Sequence, residues 1–350
     1  MKTEVQFSSR RFFMTLTLCA CSVILLQNND LSTDNSFLLN LLCVGVGLLG
    51  CFLFLLPSLL LKQRRDTDLL SLVRQSNKPL QIAAAVFYGA YFLYVAQYFL
   101  IPYTDMFCKK YYAGAGPCVI ALLLLACCVY AAFKGANVIT RFGIFLFVLA
   151  MVTNLLLFGG GLSSLNFERG FSFSGSVSAF AQNADYFLTP CFIAVFYACL
   201  SGYTRNFRLR QPVAALLLTG IKFALILFFI AFAVGEYAQR QEYQTFVLSR
   251  VAHFGSFAGI ESFYMALSTM SVFLILSLIL CCMCRAAGQN GNLKWIVGFA
   301  ALIFAVHMAA VFNDSIKELF AYPLTLNLLT FFAAVVFPSL ALLKRRNRHA

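Results

Sequence analysis

Charge is scarce in this sequence. Asp, Glu, Lys and Arg make up 11% of its 350 residues, against about a quarter in soluble globular domains. That excludes an ordinary water-soluble domain. Ten-residue segments of alternating polarity are also missing, which excludes an outer-membrane barrel. The cluster Cys281, Cys282 and Cys284 has no histidine beside it and lies at a helix end, so a structural metal site is not expected. No set of His, Asp and Glu falls at a common depth, and no nucleophile–base pair has a recognisable spacing, so an enzyme is not expected either. The run Gly159–Gly161 lacks the strand-to-helix setting of a phosphate cradle and reads as a helix end with a turn. No cofactor is expected.

What the chain has in abundance is apolar length. Hydrophobic residues make up 61% of it, and the mean hydropathy is +0.83. A bilayer core takes roughly 20 apolar residues per helix. Such runs recur near 11–29, 37–61, 80–103, 117–133 and 138–162, then near 175–203, 212–235, 262–284, 295–313 and 319–343. The expectation is an all-α polytopic membrane protein of ten transmembrane helices forming a single transmembrane domain. The opening FSSRRFFMTLTLCACSVILLQ resembles a secretory signal, but its apolar run continues through Leu26 and reads better as the first helix. Most of the 13 cysteines lie inside apolar runs, where they act as small polarizable hydrophobes. Cys108 and Cys118 share one loop, and pairing between them is left open.

Basic residues set the orientation. With a cytoplasmic N-terminus, nineteen of the 26 Lys and Arg fall on inner segments and six on outer ones, with Lys222 inside a span. The positive-inside rule then places both termini in the cytoplasm. The basic tail at 344–350 abuts a span and suits anionic headgroups rather than nucleic acid. Two connections are longer than turns. Residues 64–78 form an amphipathic stretch suited to the inner surface, and 243–254 suits a short helix over the outer face.

Ten spans divide into five and five, and an odd number per half sends the second half in from the opposite side. That is the arrangement of an inverted repeat, whose substrate site often lies where the leading helix of each half is interrupted. The stretch NADYFLTP (183–190) fits such an interruption in the sixth span. Pro190 removes a donor and clashes with the preceding turn, so FLTP is the expected break. The first span has no proline or glycine. Its small residues around Cys21 and Ser22 would let a ligand approach the backbone, or would serve close helix packing.

The candidate substrate residues are therefore Cys21, Ser22, Asp185, Tyr186, Thr189 and Pro190. Asp185 suits a ligand ammonium or a half-helix cap. Lys222 and Glu261 are candidates for coupling or gating. Burying the Lys222 ammonium costs roughly 2.5–3.5 kcal/mol on insertion scales, so it calls for a partner or a polar cavity. Asp185 and Glu261 are the candidate partners. Glu261 also suits the macrodipole at the start of the eighth span. Gln97, Asn154 and His307 lie within spans, where hydrogen bonds between helices are the default.

Three segments carry a family resemblance: YAAFKGANVITRFGIFLFVLAM (130–151), EYAQRQEYQTFVLSRVAHFGSFAGIESFYMAL (236–267), and AYPLTLNLLTFFAAVVFPSLALLKRRNR near the end. In order and spacing they resemble the B-subunit family of bacterial spore germinant receptors, the spore germination permeases of the amino acid–polyamine–organocation transporter superfamily. The first span departs from the family: CSVILLQNNDLSTDNSF keeps an Asp34–Phe37 echo but lacks the usual Pro and Gly. The resemblance implies a LeuT/APC-like 5+5 inverted repeat with helix 6, and in the family helix 1, broken. It further implies a subunit of the spore inner membrane that senses an amino-acid-type nutrient, working with A-type and lipoprotein C-type germination receptor subunits. The alternative function is a proton-coupled secondary amino acid transporter.

Overall fold

Helix is the default wherever this chain runs apolar, because in hydrocarbon each backbone N–H and C=O must find its partner within the segment. The computed structural model describes residues 7–26, 36–65, 68–74, 78–111, 114, 116–167, 175–205, 210–235, 237, 241, 243–252 and 260–339. The basic tail, Asp34, and parts of the 64–78 and 243–254 segments lie outside the described residues.

The first half contains α1 (Ser9–Leu25), α2 (Phe37–Arg65), the short α3 (Leu69–Arg74), α4 (Lys78–Lys110), α5 (Pro117–Lys134) and α6 (Ala136–Gly161). The second half contains α7 (Val177–Leu188), α8 (Ile193–Leu200), α9 (Arg210–Phe229), the short α10 (Gln244–Val251), α11 (Ile260–Ala286), α12 (Leu293–Phe312), the short α13 (Asp314–Leu319) and α14 (Pro323–Phe331). Both α9 and α14 continue into a wide turn with i→i+5 bonding, at Ile230–Val234 and Phe332–Val336. Among the described residues, eight rods are long and apolar enough to cross a bilayer, with α7 and α8 counted as one. The rod Pro323–Ser339 is shorter, and α1 has 17 residues.

Packing between rods follows a two-fold pattern. In the first half, α1 packs on α6 and on α9; in the second, α7 and its continuation pack on α14 and on α2. In the same way α5 packs on α11 as α12 packs on α4. The short helices obey the same rule. Each follows the second rod of its half, α3 at one face of the bundle and α10 at the other. These two surfaces are called here the α3 face and the α10 face.

Burial separates centre from periphery. The most apolar stretch of the α7–α8 rod is 83% buried and that of α11 is 78% buried, whereas those of α6 and α12 are each 28% buried. Leu122, Leu123, Phe145, Leu155 and Val297 point outward from the peripheral helices as a lipid-facing surface would require. The central rod, α7–α8, is thus the one that carries Pro190.

Candidate ligand-binding site

The sixth rod changes character at Pro190, by tightening rather than unwinding. Pro190 has no N–H for the Tyr186 carbonyl, and the Thr189 N–H takes that carbonyl instead. The Ile193 N–H returns to Pro190 and Cys191 in the same short fashion. A 3₁₀ turn, Thr189–Phe192, results, with right-handed helical dihedrals at Leu188 (φ −78°, ψ −22°) and Ile193 (φ −61°, ψ −26°). The expected gap at FLTP is therefore a four-residue tightening displaced toward Phe192. One missing donor is absorbed by shifting each bond by one residue, so no extended segment is needed. Neighbours reinforce the turn: Cys51 Sγ lies 3.4 Å from the Leu188 carbonyl, and Asn327 donates to the Asp185 carbonyl at 2.7 Å.

Helix α1 ends inside the protein. A helix end leaves its last carbonyls without intrahelical partners, and here three hydroxyls from three other helices supply them. Tyr186 on α7 donates to the Val23 carbonyl at 3.2 Å. Thr245 on α10 donates to the Ile24 carbonyl at 3.1 Å, and Tyr264 on α11 donates to the Leu25 carbonyl. The chain leaves α1 where the central rod and the short helix of the opposite half converge.

A cavity of about 110 Å³ opens beside this junction. Its wall combines Val23 of α1 and Leu26 just past its end, Tyr98, Phe99 and Asp105 of α4, Tyr186 of α7, Lys317 of α13, and Phe320 and Ala321 just beyond it. By this measure one water needs roughly 10–15 Å³, so the space holds several. Lys317 Nζ stands 2.5 Å from Asp105 Oδ2, with the two side chains 39% and 17% exposed. This ion pair lies toward the α10 face, where Lys110 sits over the Tyr243 ring. At the α3 face the bundle is fastened shut. Arg285 is ion-paired with Asp68, both side chains buried, and its guanidinium stacks 3.7 Å over the Tyr203 ring. Phe7–Ser8 pairs in parallel with Thr204–Arg205, and Ser9 donates to Gln211.

Of the residues singled out from sequence, Tyr186 lines the cavity. Asp185 faces the last rod, where Asn327 holds it. Thr189 is fully buried at the 3₁₀ turn, and its hydroxyl has no partner among the described residues. Pro190 is buried beside it. Cys21 points to α9, its Sγ 4.0 Å from Thr219 Oγ1, and Ser22 donates back to the Cys19 carbonyl at 2.6 Å. Lys222 is buried on the same α9 surface with Cys21 as a neighbour. It makes no ion pair or hydrogen bond among the described residues. Neither candidate partner reaches it: Glu261 pairs with Arg250 of α10 at 3.2 Å on an exposed surface. Next to that pair, burial, then the charge of Glu261, push the Tyr111 phenol up to about 12, so its bond to the Glu261 carbonyl at 2.9 Å persists through neutral pH.

Asn327, Asp105 and Lys317 escaped the sequence reading. Asn327 is an amide among apolar neighbours in LTLNLLTFF, and that isolation was its only signal. Asp105 and Lys317 looked like loop-proximal charges, and nothing in a single sequence joins positions 212 residues apart.

The rod arrangement and the central interrupted helix define a LeuT-type transporter fold. A solved structure, MhsT in complex with L-phenylalanine, is similar to this chain with a TM-score of 0.53, over 96% of this chain and 88% of that one, at 14% identity. The likeness establishes the fold: an all-α polytopic membrane protein of the LeuT type. No family model matches the sequence, and no curated protein does.

Proposed function

We propose that the chain binds a small zwitterion of the amino acid class in the cavity at the end of α1, as the nutrient-sensing membrane subunit of a spore germination receptor. The observation that carries the ligand class is the Asp105–Lys317 pair in the cavity wall. A zwitterion matches both halves of that pair, its ammonium to Asp105 and its carboxylate to Lys317, and exchanges one charged contact for two. Tyr98, Phe99 and Phe320 supply apolar and aromatic wall for a side chain. MhsT, in the same fold, was solved with L-phenylalanine. The sensing role, the A-type and C-type partner subunits and the spore inner membrane rest on the three segments that resemble the germination permeases. The excess of Lys and Arg on inner segments supports cytoplasmic termini, which turns the α10 face outward.

A sensor of this kind works by binding two arrangements of the bundle unequally. The fastened α3 face and the ion-paired α10 face provide contacts that differ between such arrangements. A second reading, proton-coupled amino acid transport, is favoured by one observation: Lys222 is a buried amine with no ion pair or hydrogen bond among the described residues. Such a group gains from releasing a proton in one state and taking it up in another. Proteoliposomes supplied with labelled amino acids from outside separate the readings. Saturable binding without accumulation supports the sensor, accumulation driven by a pH gradient supports the transporter, and the absence of both overturns the amino acid assignment.

A further inference from the structure

Gln97 and His307 lie between α4 and α12 and are fully buried. Neither is among the residues that line the cavity. Gln97 donates Nε2 to the Ile303 carbonyl at 2.7 Å, one turn before His307. Its Oε1 has no partner among the described residues, and neither ring nitrogen of His307 has one. Buried polar atoms are seldom left unpaired. Three of them on two packed helices mark a position built for something more than packing.

Helical register arranges these groups in a column. Gln97, Ile101 and Asp105 are four residues apart on α4 and share one face; Ile303 and His307 share a face of α12. Gln97 is level with Ile303, so His307 lies one turn nearer the α10 face and Asp105 two turns nearer. Lys317 follows from α13. The helices packed on α12 are α4, α5, α11 and α13. From α4 the charged group acting on His307 is Asp105, and from α13 it is Lys317; α5 and α11 bring none.

We propose that His307 is a proton-binding site whose protonation loosens the Asp105–Lys317 pair and so opens the cavity toward the α10 face. The proton comes from water at that face and forms an N–H bond at a free ring nitrogen; no other covalent bond changes. The imidazolium then has two N–H donors, and two acceptors stand along the same column, Gln97 Oε1 and the Asp105 carboxylate. Its positive charge attracts Asp105 and repels Lys317, which weakens the pair from both sides. The consequence for ligand entry rests on the zwitterion reading above, whereas the proton site itself does not.

The chain has three histidines, so nitrogen-15 histidine NMR of the full-length protein in nanodiscs can follow His307 alone. Its signal is assigned by its loss in His307→Gln, or by its survival in a His253→Gln/His349→Gln double variant, which serves if the first fails to fold. The ring is expected to gain its second N–H proton as the pH is lowered through the range in which the protein stays folded. The midpoint should fall in Asp105→Asn and rise in Lys317→Met, each by about half a unit or more. Hydrogen–deuterium exchange of residues 313–322, corrected for intrinsic rates, should accelerate with the same midpoint as the NMR signal. That step should vanish in His307→Gln. A ring that does not titrate, a midpoint unmoved by both charge substitutions, or an exchange step whose midpoint differs from that of the ring overturns the proposal. So does a step that persists in His307→Gln. Neither readout involves a ligand, so failure here leaves the zwitterion reading to its own binding and uptake experiment.

Discussion

One amide nitrogen of Asn327 donates to both the backbone carbonyl and the carboxylate Oδ1 of Asp185, each at 2.7 Å. The amide oxygen of the same residue lies 3.4 Å from Cys191 Sγ. Asn327 therefore ties Asp185, before the 3₁₀ turn, to Cys191 within it, and the last rod holds the interruption of the sixth in shape. Hydrogen bonds to charged groups are worth about 1.5–3 kcal/mol. Asn327→Ala is expected to cost about that much in unfolding free energy, measured by thermal or denaturant unfolding in detergent. Asp185→Asn keeps an acceptor and should cost less. If the two variants cost the same, the bridge is not what holds the turn.

Close approach of α2 to α7 just before the turn yields a controlled comparison. A Cβ added at Gly47 would stand 2.5 Å from the Phe187 backbone, whereas one added at Gly45 meets nothing within 4 Å. Overpacking against backbone costs roughly 1–3 kcal/mol. Gly47→Ala should lower the unfolding midpoint and Gly45→Ala should leave it unchanged or raise it slightly. Equal effects would contradict the packing of α2 on α7.

The Asp68–Arg285 pair at the α3 face is buried. Removing one partner of such a pair costs about 3–5 kcal/mol, because the other charge is left stranded. Arg285→Ala is therefore expected to be far more damaging than Arg250→Ala, whose pair with Glu261 is exposed and worth about 0–1 kcal/mol. Comparable losses from both variants would show that the α3 face is not fastened by this pair.

Much of the fold was legible because a membrane restricts the backbone so severely. Long apolar runs can only be helices or barrel strands there, and the alternation that strands require is absent. Pro190 marked the irregular point of the central rod, since proline removes a donor whatever surrounds it. The form of the irregularity was not legible. Whether a rod unwinds or tightens depends on side chains that arrive from elsewhere, here Asn327 and Cys51. The cavity was hidden for the same reason: its charged pair joins α4 to α13, and periodicity along one helix says nothing about what faces it. Tyr186, the aromatic hydroxyl beside the break, lies in the cavity wall, whereas Asp185, equally conspicuous in sequence, faces the last rod.

Lys222 makes an unusual stability prediction. With no ion pair or hydrogen bond among the described residues, its ammonium form carries a desolvation cost of the order of 2.5–3.5 kcal/mol. Lys222→Met is expected to raise the unfolding midpoint while abolishing any pH-gradient-driven uptake. A lower midpoint would mean that a partner holds Lys222.

The account stands or falls on the cavity beside the end of α1 being the ligand chamber. Equilibrium binding of labelled amino acids to the purified protein and to Ala321→Trp, which places an indole in the cavity wall, tests this directly. The account predicts saturable binding by the unsubstituted protein and its loss in the variant, with the unfolding midpoint preserved. Undiminished binding by Ala321→Trp would contradict it.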